Sequence, residues 1–130
     1  MAQLIIKKNT TELHWISDFW ESEIKRVFFL HHVPGNKARG FHRHKYCRMA
    51  MICLAGTVDV YVQSPENDSF FQLNSPIQIL FLEPTDWRVM HNFSEDAVLM
   101  ILADRHYSDT FYIETPYRPL SDRLFWGDNQ

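Results

Sequence analysis

Two histidines, His42 and His44, stand at alternate positions in the charged and aromatic run ARGFHRHKYCR, residues 38–48. Neutral imidazoles bind metal ions, and an imidazole with a pKa near 6.5 can also accept and return protons near neutral pH. A His-x-His pair on a strand can equally be a surface feature without chemical function. The pair therefore raises three hypotheses: a metal site, a proton-transfer site and a plain surface strand.

In an extended strand, residues two positions apart share a face. Over residues 41–48 this rule predicts one polar face, formed by His42, His44, Tyr46 and Arg48. The same alternation continues into an apolar set, Ala50, Ile52 and Leu54, which we expect to turn inward. The polar group would then lie at the mouth of an apolar interior, as in a small-ligand pocket of a barrel.

Short strands are the elements that must position these groups. Runs rich in β-branched and aromatic residues recur along the chain: RVFFLHHV, CRMAMICLAG, TVDVYVQ, SFFQL, IQILFLEP and AVLMILA. Turn-forming sequences such as PGN, SPEND and NFSED separate them. Strands of this length and spacing predict an all-β sandwich or barrel. The segment TTELHWISDFWESEI favours a short helix instead.

The composition limits the partners and the location. The 130 residues, 45% of them hydrophobic, predict a single packed domain over 1–130, with 119–130 as a C-terminal tail in which Phe125 and Trp126 pack. A net charge of −3 and the lack of a basic stripe argue against a nucleic-acid partner. The sequence shows neither a secretory signal pattern nor a run of 18 apolar residues, so we expect a cytoplasmic protein without a membrane partner.

The metal hypothesis is tested by motif spacing. The region resembles the first cupin motif, in which a glycine, His-x-His, a glutamate and a second glycine follow in order; here the matching residues are Gly35, His42, His44 and Gly56. The glutamate position holds Arg48, and in the stretch EPTDWRVMHNF the histidine, His91, lies two places beyond the second cupin motif. A divalent ion needs three or four converging ligands. The sequence therefore predicts no metal and no other cofactor.

Proton transfer fits the same residues better. A neighbouring guanidinium and burial both lower the pKa of an imidazole, which keeps the ring neutral and available as a base. Two such rings beside an arginine could abstract a proton next to a carbonyl group.

A longer set of motifs points to a family. The stretches EIKRVFFLHHV, ARGFHRHKYCRMAMICLAGTVDV, FQLNSP, FLEPTDWRVMHNFSEDAVLMILADRHY and FYI, which span about residues 23–118, resemble in this order the WxcM-like cupins. These are sugar 3,4-ketoisomerases that act on dTDP-4-keto-6-deoxyhexoses. The resemblance implies a cupin jelly roll, a metal-free reaction on a dTDP-linked keto-deoxysugar, and a homodimer whose subunits exchange N-terminal strands.

The resemblance also implies roles for individual residues. The family's Arg-Gly-x-His-x-His-Lys motif matches Arg39, His42, His44 and Lys45, with His42 as the principal acid and base and His44 as its partner. Around them the sequence offers four further candidates. Arg48 could stabilise the enediolate, and Arg88 together with Arg39 could bind the diphosphate. Tyr46 and Trp87 could stack on the thymine or the sugar.

The sequence departs from the family at three places. Phe28 and Phe29 replace two tyrosines, and an N-terminal Arg-Gly pair is not visible in NTTELHWISDFW. The family's run Tyr-Asp-Glu-x-Asp-Tyr-Ile is reduced to YSDTFYI, residues 107–113. Three functions therefore remain open: a nucleotide-sugar 3,4-ketoisomerase, a related epimerase or isomerase of another sugar, and a non-catalytic cupin that binds a sugar nucleotide.

Overall fold

The structure of the protein, a computed structural model, describes residues 1–8, 23–109 and 111–124. These residues form ten β-strands and one turn of 3-10 helix, Tyr107–Asp109. The strands are β1 (Gln3–Ile6), β2 (Arg26–His31), β3 (Arg39–His44), β4 (Met49–Ala55), β5 (Val58–Gln63), β6 (Asp68–Leu73), β7 (Gln78–Leu82), β8 (Trp87–His91), β9 (Val98–Ala103) and β10 (Tyr112–Ile113). The described part of the chain contains no helix that is long and apolar enough to cross a membrane.

The strands form two five-stranded sheets that enclose one core. The first sheet has the order β1-β7-β4-β9-β2 and the second the order β10-β3-β8-β5-β6, with antiparallel neighbours throughout. Alternation within the sequence VDVYVQ of β5 buries Val58, Val60 and Val62 between the sheets. Leu80 and Leu82 of β7 and Leu99 of β9, in the first sheet, belong to the same core cluster as these valines. The predicted all-β jelly roll is confirmed.

The six runs found in the sequence correspond to β2, β4, β5, β6, β7 and β9, and the extended stretch around the two histidines corresponds to β3. Strand β8, with the sequence WRVMH between two turn-forming stretches, was not predicted. The short β1 and β10 were not predicted, because four and two residues carry little periodic pattern. The predicted helix in TTELHWISDFWESEI falls almost entirely on residues 9–22, outside the described residues. The aromatic pair Phe125 and Trp126 lies outside them as well.

The inward face predicted for β4 is wrong. Met49 and Met51 turn into the core between the sheets, whereas Ala50 and Ile52 join a separate apolar cluster with Ile79 and Leu102 on the other side of the first sheet. Leu54 is exposed. The chain leaves the second sheet after β3 and enters the first sheet at β4, so the alternation of one strand does not continue into the next.

The C-terminal segment packs on the outer face of the second sheet. Leu120 and Leu124 contact the cluster around Tyr61 and Trp87. The buried Gln63 side chain accepts hydrogen bonds from the backbone N–H groups of residues 117 and 118, at 3.0 and 3.2 Å. These contacts hold the segment that carries β10, and β10 pairs with β3.

Candidate active site

A cavity of about 420 Å³ opens between the two sheets, and this volume is typical of small-ligand sites. Much of its wall is apolar and includes Phe28, Leu30, Met49, Met51, Met90 and Ile101. Its polar and ionisable wall groups are Arg26, Arg39, His42, His44, Arg88, Tyr107 and Tyr112. Polar groups on an apolar wall give a bound molecule its orientation, as the sequence predicts for a pocket near the histidines.

A β-bulge in β3 brings Arg39 and His42 to the same side of the sheet. Arg39 pairs with Met90 and His42 with Arg88, so one extra residue, Phe41, lies between them with a φ of 60°. Gly40 precedes it with a φ of 103°, and a Cβ atom there would lie 2.8 Å from the carbonyl oxygen of Arg88. The local sequence therefore needs glycine at this position to aim His42 into the cavity.

His42 is held as a neutral base. Its Nδ1 lies 2.9 Å from the carbonyl oxygen of Gly40. A carbonyl oxygen only accepts, so Nδ1 donates the proton and the lone pair resides on Nε2. Burial lowers the pKa of His42, and the positive charge of Arg88 lowers it further, against the opposing effects of the Gly40 contact and Glu114. The ring is therefore neutral at neutral pH and is available to accept a proton from a substrate.

His44 is fully buried beside His42, with a distance of 4.9 Å between ring centroids. Neither ring nitrogen has a hydrogen-bond partner among the described residues. Burial lowers the pKa of His44 to about 3, with smaller contributions from Arg88, His42 and Arg26. A buried polar group without a partner costs about 1–3 kcal/mol, which a ligand that hydrogen-bonds to it can recover.

Arg88 supplies a positive charge at the bottom of the cavity. Its Nε donates to the carbonyl oxygen of Asp86 at 2.9 Å, and Nη1 lies 3.5 Å from the sulfur of Met49. Its Nη2 has no partner among the described residues, although the residue is only 1% exposed. Burial lowers the pKa of Arg88 to about 10, so the group stays charged at neutral pH. A guanidinium in such surroundings is suited to an anion.

Tyr112 and Arg26 are cavity residues that the sequence reasoning did not identify. Tyr112 of β10 is the register partner of His44, and its ring centroid lies 4.4 Å from that of His42 and 5.0 Å from that of His44. The guanidinium of Arg26 lies over the rings of Phe28 and Tyr107. Arg26 lies in the motif KRVFF and Tyr112 in the motif FYI, both of which resemble the family. The resemblance gave neither residue a role in the site.

Three other predicted site residues lie at the rim or beyond it. Arg39 lines the cavity, is exposed, and donates from Nη1 to the carbonyl oxygen of residue 38 at 3.0 Å. Lys45 and Tyr46 are exposed in the turn after β3, where the ammonium group lies 5.5 Å from the Tyr46 ring centroid. The Tyr46 ring in turn contacts Phe111 edge to face.

The prediction that Arg48 shares a face with the histidines is wrong. Strand β3 ends at His44, so the alternation stops before residue 48. The Arg48 side chain pairs with Glu83, with Nε 3.0 Å from the carboxylate oxygen, and its backbone N–H donates to Asp104. Arg88 provides the buried charge that the sequence reasoning had assigned to Arg48.

We therefore expect Arg48→Ala to leave turnover within about threefold of the wild type. The loss of one exposed ion pair should change stability by about 0.2–1 kcal/mol, because solvent screens such pairs. Steady-state kinetics and thermal unfolding of the variant measure both quantities. A large loss of turnover in a variant that unfolds like the wild type would place Arg48 in the site after all.

Trp87 also lies away from the predicted position. It is buried in the cluster on the outer face of the second sheet, donates from Nε1 to the carbonyl oxygen of Glu114 at 2.9 Å, and meets Phe41 edge to face. Of the two phenylalanines that replace family tyrosines, Phe28 lines the cavity and Phe29 is exposed on the opposite face of β2.

Within residues 1–8, 23–109 and 111–124, no group of three or more His, Cys, Asp or Glu side chains is placed to hold a metal ion. His91 lies with Asp59 at a different pocket on the outer face of the second sheet. The donor set around His42 and His44 therefore does not fit a divalent ion.

The lowered pKa of His44 predicts an acid-sensitive fold. The folded protein keeps this ring neutral down to about pH 3, whereas the unfolded chain binds the proton near pH 6.5. Its contribution to stability is thus complete above pH 6.5 and is lost as the pH falls toward 3. We expect the Tm to fall less between pH 7 and pH 4.5 in His44→Asn than in the wild type. His31→Asn, at an exposed histidine of β2, should keep the wild-type slope, and equal slopes in all three proteins would contradict the prediction.

The sequence matches the family described as FdtA: WxcM-like, C-terminal, over residues 3–119. The curated TDP-4-oxo-6-deoxy-α-D-glucose-3,4-oxoisomerase of Aneurinibacillus thermoaerophilus is 38% identical over 90 residues. This match covers 69% of the chain and 65% of the relative, so the chain spans slightly less than two thirds of that protein.

Solved structures of sugar 3,4-ketoisomerases are also similar to this chain. QdtA, a sugar 3,4-ketoisomerase from Thermoanaerobacterium thermosaccharolyticum in complex with TDP, has a TM-score of 0.75 and 31% identity, covering 88% of each chain. A variant of QdtA, solved with TDP-4-keto-6-deoxyglucose, also has a TM-score of 0.75. The TDP-quinovose 3,4-ketoisomerase WlaRB from Campylobacter jejuni has a TM-score of 0.72 and 32% identity, covering 76% of each chain.

Proposed function

The chain belongs to the WxcM-like family, as its motifs predict, and from this premise we propose that it is a sugar 3,4-ketoisomerase. Its substrate would be a TDP-linked 4-keto-6-deoxyhexose, and its product the corresponding 3-keto sugar. The similar enzymes whose names state this chemistry support the proposal. The observation that carries it is the placement of His42, His44 and Arg88 around one cavity, with buried polar atoms that lack partners among the described residues.

The first step is proton abstraction at carbon. The Nε2 lone pair of His42 takes the proton from C3, and the electron pair of the C–H bond forms the C3=C4 double bond. The C4 carbonyl becomes an enediolate oxygen. The lowered pKa of His42 supports this role, because the ring enters the reaction neutral.

Arg88 and His44 stabilise the developing charge. The buried guanidinium offers Nη2, and the neutral His44 ring offers one N–H. Hydrogen bonds to an anion in a site of low dielectric are stronger than in water, and they are in place before the charge develops. His42 then returns a proton to C4, O4 gains a proton and O3 loses one, which leaves the ketone at C3 and a hydroxyl at C4. No redox cofactor and no metal takes part in the proposed sequence.

The nucleotide is proposed to lie toward the rim of the cavity. Arg39 lies there with an exposed guanidinium, whose planar shape suits bidentate contact with a diphosphate. Lys45 and Tyr46 follow on the adjacent turn and remain candidates for the phosphate and the base. Arg88, by contrast, is proposed for the sugar end, because it is buried beside the histidines.

A homodimer with exchanged N-terminal strands remains a prediction from the family resemblance. Within the single chain, β1 pairs with β7 at one edge of the first sheet. Val27 and Phe29 are about half exposed on β2 at the other edge, which supports a buried contact for them in an assembly. The molar mass in solution, measured by light scattering, tests this proposal, and a monomer at micromolar concentration would contradict it.

The test of the activity uses TDP-4-keto-6-deoxyglucose labelled with ¹³C at C3 and C4. We expect the carbonyl resonance to move from C4 to C3, at a rate that EDTA does not change. Inversion at C3 or C5 with the carbonyl still at C4 would indicate an epimerase, which is the second candidate because Phe28 replaces a family tyrosine at the cavity wall. Tight binding without any conversion would indicate a non-catalytic cupin.

A further inference from the structure

The ring of Tyr112 covers the two histidines on the side of β10. Its centroid lies 4.4 Å from that of His42 and 5.0 Å from that of His44. The residue is 46% exposed, so one side of the ring meets solvent while the other meets the imidazoles. Removal of this cover would let water reach the rings, and the attachment of β10 therefore matters for the proposed function, on which the following inference rests.

Strand β10 is too short to hold itself in place. It has two residues and pairs with β3 at the edge of the second sheet. Next to this pairing, the backbone N–H of Lys45 donates to the carbonyl oxygen of Phe111 at 2.9 Å. A short, exposed pairing at a sheet edge opens easily by local unfolding. The chain that follows β10 must therefore supply the attachment.

This attachment is the C-terminal segment, residues 111–124, which crosses the outer face of the second sheet. Trp87 of β8 donates from Nε1 to the carbonyl oxygen of Glu114 at 2.9 Å. Farther along the segment, the guanidinium of Arg118 pairs with the carboxylate of Asp68 on β6. The segment is thus tied to strands that lie beyond β3 in the sheet.

Gln63 of β5 is a fully buried point of attachment. Its Oε1 accepts hydrogen bonds from the backbone N–H groups of Tyr117 and Arg118, at 3.0 and 3.2 Å. Its Nε2 donates to the carbonyl oxygen of Arg118 at 3.0 Å and to the hydroxyl of Tyr61 at 2.9 Å. Separation of the segment from Gln63 would leave buried polar atoms without these partners, which opposes the separation.

We propose that Gln63 is a positioning residue for the active site: by fixing the C-terminal segment, it keeps Tyr112 over the two histidines and holds water out of that side of the cavity. The Gln63 side chain lies on the outer face of the second sheet, so it reaches the site only through the segment. Its loss should release β10 from β3 while the two sheets remain folded.

The pKa of His42 reports whether the cover is in place. Burial is the largest cause of its lowered pKa. The titratable and charged groups around the two imidazoles are Arg26 of β2, Arg39 of β3, Arg88 of β8, Tyr107 of the 3-10 turn, and Tyr112 and Glu114 of the C-terminal segment. Glu114 raises the pKa of His42, and its departure would offset part of the change. Because burial has the larger effect, release of the segment should raise the pKa of His42 toward 6.5.

Gln63→Leu tests the proposal, because leucine is similar in size to glutamine and makes none of its hydrogen bonds. We expect the amide of Lys45 to exchange with solvent at least about tenfold faster, since its bond to Phe111 opens with β10. In an NMR titration the pKa of His42 should rise by about half a unit or more. The acid limb of turnover with TDP-4-keto-6-deoxyglucose should move to higher pH by the same amount.

Val58→Ala is the matched control, because this side chain of β5 lies in the core between the sheets, on the face opposite to Gln63. It should lower the Tm and leave both the exchange of the Lys45 amide and the pKa of His42 at wild-type values. If Gln63→Leu does not fold, Trp87→Phe loosens the same segment by removing its Nε1 donor, and it should shift both quantities in the same direction.

Unchanged exchange at Lys45 and an unchanged pKa of His42 in the loosened protein would overturn the role of Gln63. Equal shifts in Val58→Ala would overturn it as well, since they would reflect general loss of stability. A wild type that forms no 3-keto product would refute the proposed function, whereas the exchange and the titration would still decide whether Gln63 keeps the histidines covered.

Discussion

His42→Asn is expected to lower turnover on the order of 1,000-fold, the largest effect of any single substitution in this protein. Loss of a general base costs about 10²- to 10⁴-fold in rate, and His42 serves both carbon atoms of the proposed reaction. Asparagine can still donate from its amide to the Gly40 carbonyl oxygen, as Nδ1 does at 2.9 Å, so the bulge of β3 should persist. The affinity for TDP should then stay within about threefold of the wild type.

Kinetics and calorimetric titration with TDP measure these two quantities. His31→Asn is the matched control, since this histidine is exposed on β2 and points away from the core. Its turnover should equal that of the wild type. A His42→Asn protein that folds, binds TDP and still turns over within about tenfold of the wild type would contradict the assignment of the base.

Arg88→Met is expected to lower turnover on the order of 100-fold and to raise the Tm. Removal of one preorganised donor to an oxyanion costs about 10²- to 10³-fold in rate. The lowered pKa of Arg88 reflects the cost of a buried charge whose Nη2 has no partner among the described residues. Methionine has a similar length and fits beside Met49, so the Tm should rise by about 2–8 °C.

Arg43→Met provides the control for this substitution. Arg43 belongs to the same strand as the two histidines but faces the other way, with its guanidinium 5.3 Å from the ring centroid of Tyr117. Its turnover should remain within about threefold of the wild type. Full turnover in Arg88→Met would show that the guanidinium does not stabilise the enediolate, and a lower Tm would show that it stabilises the fold.

These predictions rest on residues that the sequence identified to different degrees. The strand period of two already showed that His42 and His44 share a face. The same period makes it impossible for Trp87 and Arg88 both to enter the cavity from one regular strand, and the structure places only Arg88 there. Thus a periodic pattern gives the relative orientation of neighbouring residues, whereas their burial depends on which face the second sheet covers.

The remaining differences arise where a strand ends or bulges. Arg39 and His42 share the cavity side only because Phe41 adopts a positive φ, which no sequence pattern indicates for a phenylalanine. Arg48 lies outside the cavity because β3 ends at His44. Tyr112 enters from a strand of two residues, which is held in place by distant side-chain contacts rather than by its own sequence.

The most direct test of the central claim is a proton NMR time course of TDP-4-keto-6-deoxyglucose with the wild type and His42→Asn in D2O. We expect the wild type to form the 3-keto sugar with solvent deuterium at C4, and His42→Asn to form neither product nor deuterated substrate on the same time scale. A wild type that forms no 3-keto product would contradict the proposed isomerisation. Equal product formation by both proteins would show that His42 is not the base.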